Sequence, residues 1–334
     1  MTNLDAPARG DSGRWHWVLS LKVGVTLLLL WWVFRSTDLA SLALALGRLD
    51  AVVVAGALAL VLLQQVVLAW RWHRILHWMG ARWPFTQALR WVFVGLFFNQ
   101  ALPTAVGGDA VRVWALHRQG LPPHIAFGSV AVERGSGLAL LALMIALAVL
   151  IAPGGLGSRE IEGALLGSAV LIVLLLLAAV FADKWLTRWL PTRMAEAGAR
   201  FGIAMRAVFK TPRAACEIVA GGCIATWLGL WAAVWIGRGL GLEFEASVFF
   251  AFVGGAILLT LLPLSLGGWG VREAGMVTLF GQLGAPADST VVLSMVWGIL
   301  PLVVALPGGA YFWWVHRKDA STMASTGPDT RSTP

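Results

Sequence analysis

Two arginines stand at the same place in two copies of one short pattern. Pro103-Thr104-Ala105-Val106-Gly107-Gly108-Asp109-Ala110-Val111-Arg112 and Pro263-Leu264-Ser265-Leu266-Gly267-Gly268-Trp269-Gly270-Val271-Arg272 share the form P-x3-GG-x3-R, 160 residues apart. Proline lacks an amide donor, so Pro103 and Pro263 are read as structural breaks that end or kink the preceding helix. The Gly-Gly pair then permits a turn that other residues resist and a close approach to the backbone. A helix restarting at Asp109 and at Trp269 offers free amides and its positive dipole end to an anion. Arg112 and Arg272 fall about one turn into these helices, where a guanidinium can grip a phosphate through two parallel hydrogen bonds.

Other ionisable and polar groups lie near the pattern. Asp109 and Arg112 are three apart and share a helix face. Glu133 and Arg134 follow the first copy, and Glu273 directly follows Arg272. These groups are suited to buried ion pairs between the interrupted segments and neighbouring helices, or to a ligand or proton role. The substrate-binding candidates are therefore Asn99, Gly107, Gly108, Asp109, Arg112, Glu133, Arg134, Gly267, Gly268, Arg272 and Glu273. Gln100 joins Asn99 as a group that could line a wet cavity, whereas Gln64 and Gln65 are read as hydrogen-bonding between helices. The competing reading is close helix packing at the glycines and arginines that snorkel to the nearest interface. An arginine costs about 2.5–3.5 kcal/mol at a bilayer centre on insertion scales, so it persists with a partner or a purpose. Two copies at matched positions favour a site.

No catalytic residue, metal or cofactor is expected. His73 and His77 are four apart but have no acid nearby, unlike a zinc site. They are placed in a basic, Trp-rich segment resting on the membrane surface. Gly267-Gly268-Trp269-Gly270 has no βαβ context, and no serine or cysteine nucleophile has a base nearby. Cys216 and Cys223 are seven apart on one predicted helix, cannot bond to each other, and are read as packing residues.

The elements that hold these residues follow from composition. Of 334 residues, 58% are apolar and 13% charged, about half the charge of a soluble domain. Continuous apolar runs near 20 residues indicate an all-α polytopic membrane protein and exclude a β-barrel. Spans are expected at about 15–34, 51–70, 126–152, 163–182, 215–236 and 290–315, with Trp15, Trp17, Trp31, Trp32, Trp70, Trp72, Trp313 and Trp314 at their headgroup ends. The first is read as an uncleaved span. Residues 1–13 and 319–334 are read as disordered tails flanking a membrane domain over 14–318.

The net charge of +8 is assigned to topology, not to nucleic acid. Segments 71–90 and 183–215 are basic and should face the cytoplasm, where they can meet anionic lipid. Connections 35–50, 153–162 and 237–246 should face outward. Arg9, Arg14, His316, Arg317 and Lys318 place both termini inside. Keeping both basic segments on one side requires the interrupted segments to be re-entrant hairpins. The first, around 88–120, would enter from the cytoplasm and the second, around 247–284, from outside. The halves 15–152 and 163–316 then share the order span, span, hairpin, span in opposite orientation. The expected fold is about six full spans plus two re-entrant helical hairpins in an inverted-topology repeat.

Phe98-Asn99-Gln100-Ala101-Leu102-Pro103, Gly107-Gly108-Asp109-Ala110-Val111-Arg112 and Glu133-Arg134 resemble the membrane region of lysylphosphatidylglycerol synthases, a flippase-like family. Pro263 through Glu273 is similar to that family's second signature, and the resemblance covers about 15–316. It implies an integral protein of the cytoplasmic (inner) membrane that moves a polar-headed, anionic or lipid-linked lipid between leaflets by alternating access. Bifunctional members attach the amino acid with a separate soluble domain. Here only a tail follows residue 318, so aminoacyl transfer is not expected. The alternatives are a membrane-embedded transferase acting on a lipid-linked substrate, or an accessory subunit partnering envelope-pathway enzymes.

Overall fold

In lipid a backbone can satisfy its own hydrogen bonds only as helix or closed barrel, and the computed structural model follows the first course. It describes residues 20, 22–29, 31–32, 44–47, 49–102, 106–152, 154–181, 192–262, 265 and 267–325, with no strand among them. The principal helices are α1 (Ala51–Trp78), α2 (Phe85–Ala101), α3 (Gly107–Arg118), α4 (Pro123–Ile151), α5 (Arg159–Val180), α6 (Thr192–Phe209), α7 (Pro212–Gly239), α8 (Ala246–Thr260), α9 (Val271–Gly281) and α10 (Ala287–Ser325). Local chemistry sets several starts. Asp50 accepts from the Val52 amide ahead of α1, Ser158 accepts from Ile161 ahead of α5, and Pro123 and Pro212 open α4 and α7.

Among the described residues α1, α4, α5, α7 and Ala287–Val315 of α10 are long and apolar enough to cross a membrane. The expected span at 15–34 is helical at 20, 22–29 and 31–32, while Trp15 and Trp17 lie outside the described residues. Pro103 and Pro263 also lie outside them, as do the expected N-terminal tail and residues 326–334. Helix α10 continues through Ser325, into the segment expected to be a tail. Helix α6 is amphipathic and packs on α4 and α5.

The surface placement expected for 71–90 is not what forms. Helix α1 runs to Trp78, and Arg71 and Trp72 are fully enclosed, Trp72 in the core and not at a headgroup boundary. The apolar face simply continues past Ala69 through Trp72, Ile75 and Leu76 at helical spacing. The Nδ1 of His73 lies 2.8 Å from the Trp83 carbonyl, so this segment packs on itself instead of lying flat. Cys216 is exposed, so it is not a packing residue; both cysteines are free.

Helices α1 and α7 form the central antiparallel pair. Near the start of α1, a Cβ on Gly56 would lie 2.8 Å from the Trp235 ring; near its end, a Cβ on Gly221 would lie 2.8 Å from the Trp70 ring. Such glycines let helix backbones close on one another where lipid supplies no hydrophobic drive. At that second end Arg74 is bonded to Glu217 at 2.7 Å.

Each interrupted segment is a hairpin. In the first, Trp91 meets Trp114 and Gly95 meets Gly108 and Arg112, so α3 runs back along α2. In the second, Gly275 meets Ala256 and Leu259 while Phe252 meets Phe280, so α9 runs back along α8. Arms of 11 to 17 residues span about 16–26 Å, short of a hydrocarbon core of about 30 Å. Hairpin one follows the C-terminal end of α1 and hairpin two that of α7. Because α1 and α7 are antiparallel, the hairpins open at opposite ends of the bundle.

Each hairpin also docks on the last helix of the other half: α2 on α10, and α8 on α4. The halves are interlocked, not side by side. Gly308 abuts the backbone of Phe93, Gly309 lies against the Phe97 ring, and Phe98 meets Phe312 at 4.8 Å.

Two predictions follow from this packing. In a background lacking Cys216 and Cys223, cysteines placed at Arg118 and Ala285 should react with membrane-impermeant reagents from opposite sides, and reaction from one side only would break the inverted arrangement. Gly308→Ala should cost about 1–3 kcal/mol because its methyl meets backbone, lowering the melting temperature in detergent. Gly163→Ala, which points into open space, should be neutral or slightly stabilising.

Candidate functional site

The start of α3 is built inside the protein. Gly107, Gly108 and Asp109 are buried, and Asn99 on the facing arm accepts the Gly108 amide at 2.8 Å. The helix restarts at Gly107, two residues before the expected position, so Asp109 lies in its first turn, where a carboxylate complements the dipole. A Cβ on Gly108 would land on the Gly95 carbonyl. Glycine here is a requirement of arm-to-arm contact.

From that turn the charges fan out to α4. Arg134 grips Asp109 with two parallel bonds, Nε to Oδ2 at 2.7 Å and Nη2 to Oδ1 at 3.0 Å. Arg112 donates through Nη2 to Glu133 Oε2, while its Nη1 lies 3.6 Å from Asp109. Its guanidinium sits 4.0 Å over the Trp72 ring, a favourable cation–π geometry. Arg112, Asp109 and Glu133 are buried, whereas the Arg134 side chain is 55% exposed.

Arg71 completes the cluster and was not among the candidates. It is 2% exposed and donates through Nη2 to the Glu133 carbonyl at 3.2 Å and to Ser136 Oγ. Its guanidinium fits a slot kept open by Gly137 and Gly222, where added methyls would lie 3.4 Å and 3.1 Å away. The usable signal was the helical apolar spacing through 69–76, which puts Arg71 on a span instead of in a loop.

The second copy solves the same problem differently. Gly267 and Gly268 adopt φ of +58° and +82°, the left-handed region that glycine tolerates, and Gly270 at +84° ends the turn. Helix α9 begins at Val271, two residues later than expected. Glu273 accepts the Gly270 amide at 2.6 Å through Oε2, and through Oε1 it accepts Arg272 and, at 3.1 Å, the Ser294 hydroxyl. Arg272 Nε donates to Glu273 at 3.1 Å and to Ser294 at 3.2 Å. Trp269 lies 4.6 Å from the guanidinium. Ser294 and Gly298, the latter directly beneath the guanidinium, are small residues of α10 that sequence patterning had no reason to select.

The structure thus gathers Asn99, Gly107, Gly108, Asp109, Arg112, Glu133 and Arg134 into one cluster and Gly267, Gly268, Arg272 and Glu273 into another. The expected pairing between hairpin and following span forms in the first half. In the second, the carboxylate comes from the hairpin helix itself. Both helix starts are partly occupied by protein acceptors, Asn99 in one and Glu273 in the other. An anion arriving there has to use the remaining donors or exchange places with a carboxylate.

Removing one member of a buried pair leaves the other charge uncompensated, at about 3–5 kcal/mol. Glu133→Gln should therefore lower the thermal stability of the detergent-solubilised protein by that order. The Glu133→Gln/Arg112→Gln double variant should lose less than the two single losses added together. Full additivity would mean that the two groups are not coupled.

No individually curated protein matches the chain. A family described as lysylphosphatidylglycerol synthase TM region matches residues 17–309, which take in both hairpins, both charge clusters and the central helix pair. With apolar helices of spanning length through that region, this is an integral membrane protein and belongs to the lysylphosphatidylglycerol synthase TM region family.

Proposed function

We propose that the protein moves a polar-headed lipid between leaflets, the head group held between the two hairpins and the acyl chains left in the bilayer. The observation that carries this reading is the pair of opposed hairpins, each with a buried arginine–carboxylate pair at the matching position of an inverted repeat. Inverted repeats with interrupted helices place substrate at the repeat interface, and rocking of one half against the other exposes that site alternately. The carboxylates argue against a transferase. Glu133 is held by Arg112, and Glu273 is saturated by Arg272, Ser294 and the Gly270 amide, so neither stands ready as a general base.

Orientation follows from charge. Arg74 on α1, Arg200 and Arg206 on α6 and Lys210 and Arg213 near the start of α7 belong to the end of the bundle where Arg74 meets Glu217. The excess of basic residues supports a cytoplasmic location for that end. There it meets the anionic lipid of the cytoplasmic membrane.

The test uses proteoliposomes with a fluorescent head-group-labelled lipid and an impermeant quencher. The wild-type protein should change the sidedness of the lipid without changing its mass. Arg112→Ala and Arg272→Ala should each slow that change about tenfold or more, the equivalent of one charge-assisted hydrogen bond. Lysine should restore part of the rate, because it supplies charge without the planar fork. Unchanged rates in both alanine variants, or a lipid of new mass, would overturn the proposal.

A further inference from the structure

The two hairpins differ in charge balance. The second cluster holds one cation, Arg272, and one carboxylate, Glu273. The first holds three cations, Arg71, Arg112 and Arg134, against two carboxylates, Asp109 and Glu133. The excess is one positive charge, and it is enclosed: Arg71 and Arg112 are both more than nine-tenths buried. A carboxylate with which Arg71 makes a salt bridge is absent among the described residues; its contacts are a backbone carbonyl and a hydroxyl. Proteins rarely keep an uncompensated charge in lipid without a counter-charge to receive.

Donors are also left over. The buried Nε atoms of Arg71 and Arg112 have no hydrogen-bond partner. The two guanidinium groups converge on one residue, Arg71 on the carbonyl of Glu133 and Arg112 on its carboxylate. The cluster is closed at Arg71 and open at Arg134, whose side chain is 55% exposed beside the exposed Val106 and Ala110 at the hairpin tip. The start of α3 adds its dipole to the same spot.

Resting on the transport reading, we infer that the cluster of hairpin one is a receptor for a single negative charge, the phosphodiester of a lipid head group, with Arg71 as its fixed cation. A phosphodiester carries one charge and balances the cluster. Its oxygens take the Arg112 Nε donor that the protein leaves unused, entering from the Arg134 side while the Arg134–Asp109 pair opens, and Arg71 contributes its charge from behind. Arg71 does not travel with the hairpin, since it belongs to α1 and is wedged between Gly137 and Gly222. It is therefore the part of the site that stays in place while hairpin one moves. A head group that carries a cation beside its phosphodiester brings a second positive charge to an already cationic cluster and is bound less well.

The experiment is a binding titration of the detergent-solubilised full chain, read by thermal shift. The probes are dihexanoylphosphatidylglycerol, dihexanoylphosphatidylcholine and inorganic phosphate. The wild-type protein should bind the phosphatidylglycerol about tenfold or more tightly than the phosphatidylcholine, one charge-assisted hydrogen bond being worth at least that much. Arg71→Gln should abolish this preference and Arg71→Lys should keep part of it. Asp109→Asn should strengthen phosphatidylglycerol binding, because it removes a competing negative charge, and it keeps the inference testable if Arg71→Gln does not fold. Equal binding of the two lipids by the wild-type protein, weaker binding by Asp109→Asn, or an undiminished preference in folded Arg71→Gln would each overturn it. Inorganic phosphate binding as tightly as phosphatidylglycerol would replace the lipid with a soluble anion. The two proposals fail separately. Arg71-dependent binding in a protein that moves no lipid removes the transport reading alone, and transport without such binding removes this one alone.

Discussion

A guanidinium inside a membrane protein has to be met by acceptors and, in most cases, by a counter-charge, and much of this molecule is arranged around that requirement. Arg112 ties α3 to α4 through Glu133, and Arg134 ties α4 back to the first turn of α3 through Asp109. Arg71 ties α1 to the same turn of α4. One turn further along α1, Arg74 ties it to α7 through Glu217. In hydrocarbon such links do not compete with water, so breaking one leaves a charge with nowhere to go. The polar network therefore constrains how α1, α3, α4 and α7 sit against one another, together with the buried apolar contacts between helices.

The repeat is symmetric in placement and asymmetric in bonding. Both motif arginines reach the first turns of the following long helix, Arg112 to Glu133 and Arg272 to Ser294, and both lie over an indole. The carboxylate, however, belongs to the neighbouring span in the first half and to the hairpin helix in the second. Moving α3 away from α4 separates opposite charges. Moving α9 away from α10 gives up only the bonds to a serine. The halves of one architecture therefore oppose separation of hairpin and following helix to different degrees.

Glycine accounts for the close approaches that this network needs. Gly95 and Gly108 bring the arms of hairpin one together, Gly298 leaves room for Arg272, and Gly137 with Gly222 leaves room for Arg71. Gly308 and Gly309 seat hairpin one on α10, within a helix whose hydrogen-bond ladder is already interrupted by Pro301 and Pro307. These contacts cross between halves. Hairpin one is consequently clamped to its own half by charge and to the other half by backbone packing.

Much of this was present in the linear pattern. Apolar runs of spanning length, basic segments on alternating connections and a twice-repeated P-x3-GG-x3-R determined an all-helical membrane fold, two hairpins and their opposed sense. Length, charge and the chemistry of proline and glycine act locally and are readable residue by residue. Arg71 was not, because an arginine following an apolar run looks like the end of a span; its assignment depends on Ser136 and a carbonyl of α4 that are 62 to 65 residues away. The α10 serine that meets Glu273, the slot at Gly298 and the docking of each hairpin on the opposite half were equally invisible. Which cation meets which carboxylate is decided by distance in space, and one apolar helix face resembles another until packing chooses its neighbour. The sequence by itself determined that the charges of the repeated motif sit within the membrane domain; only the tertiary structure decided how they pair, that Arg71 is buried with them, and that three cations and two carboxylates share one site.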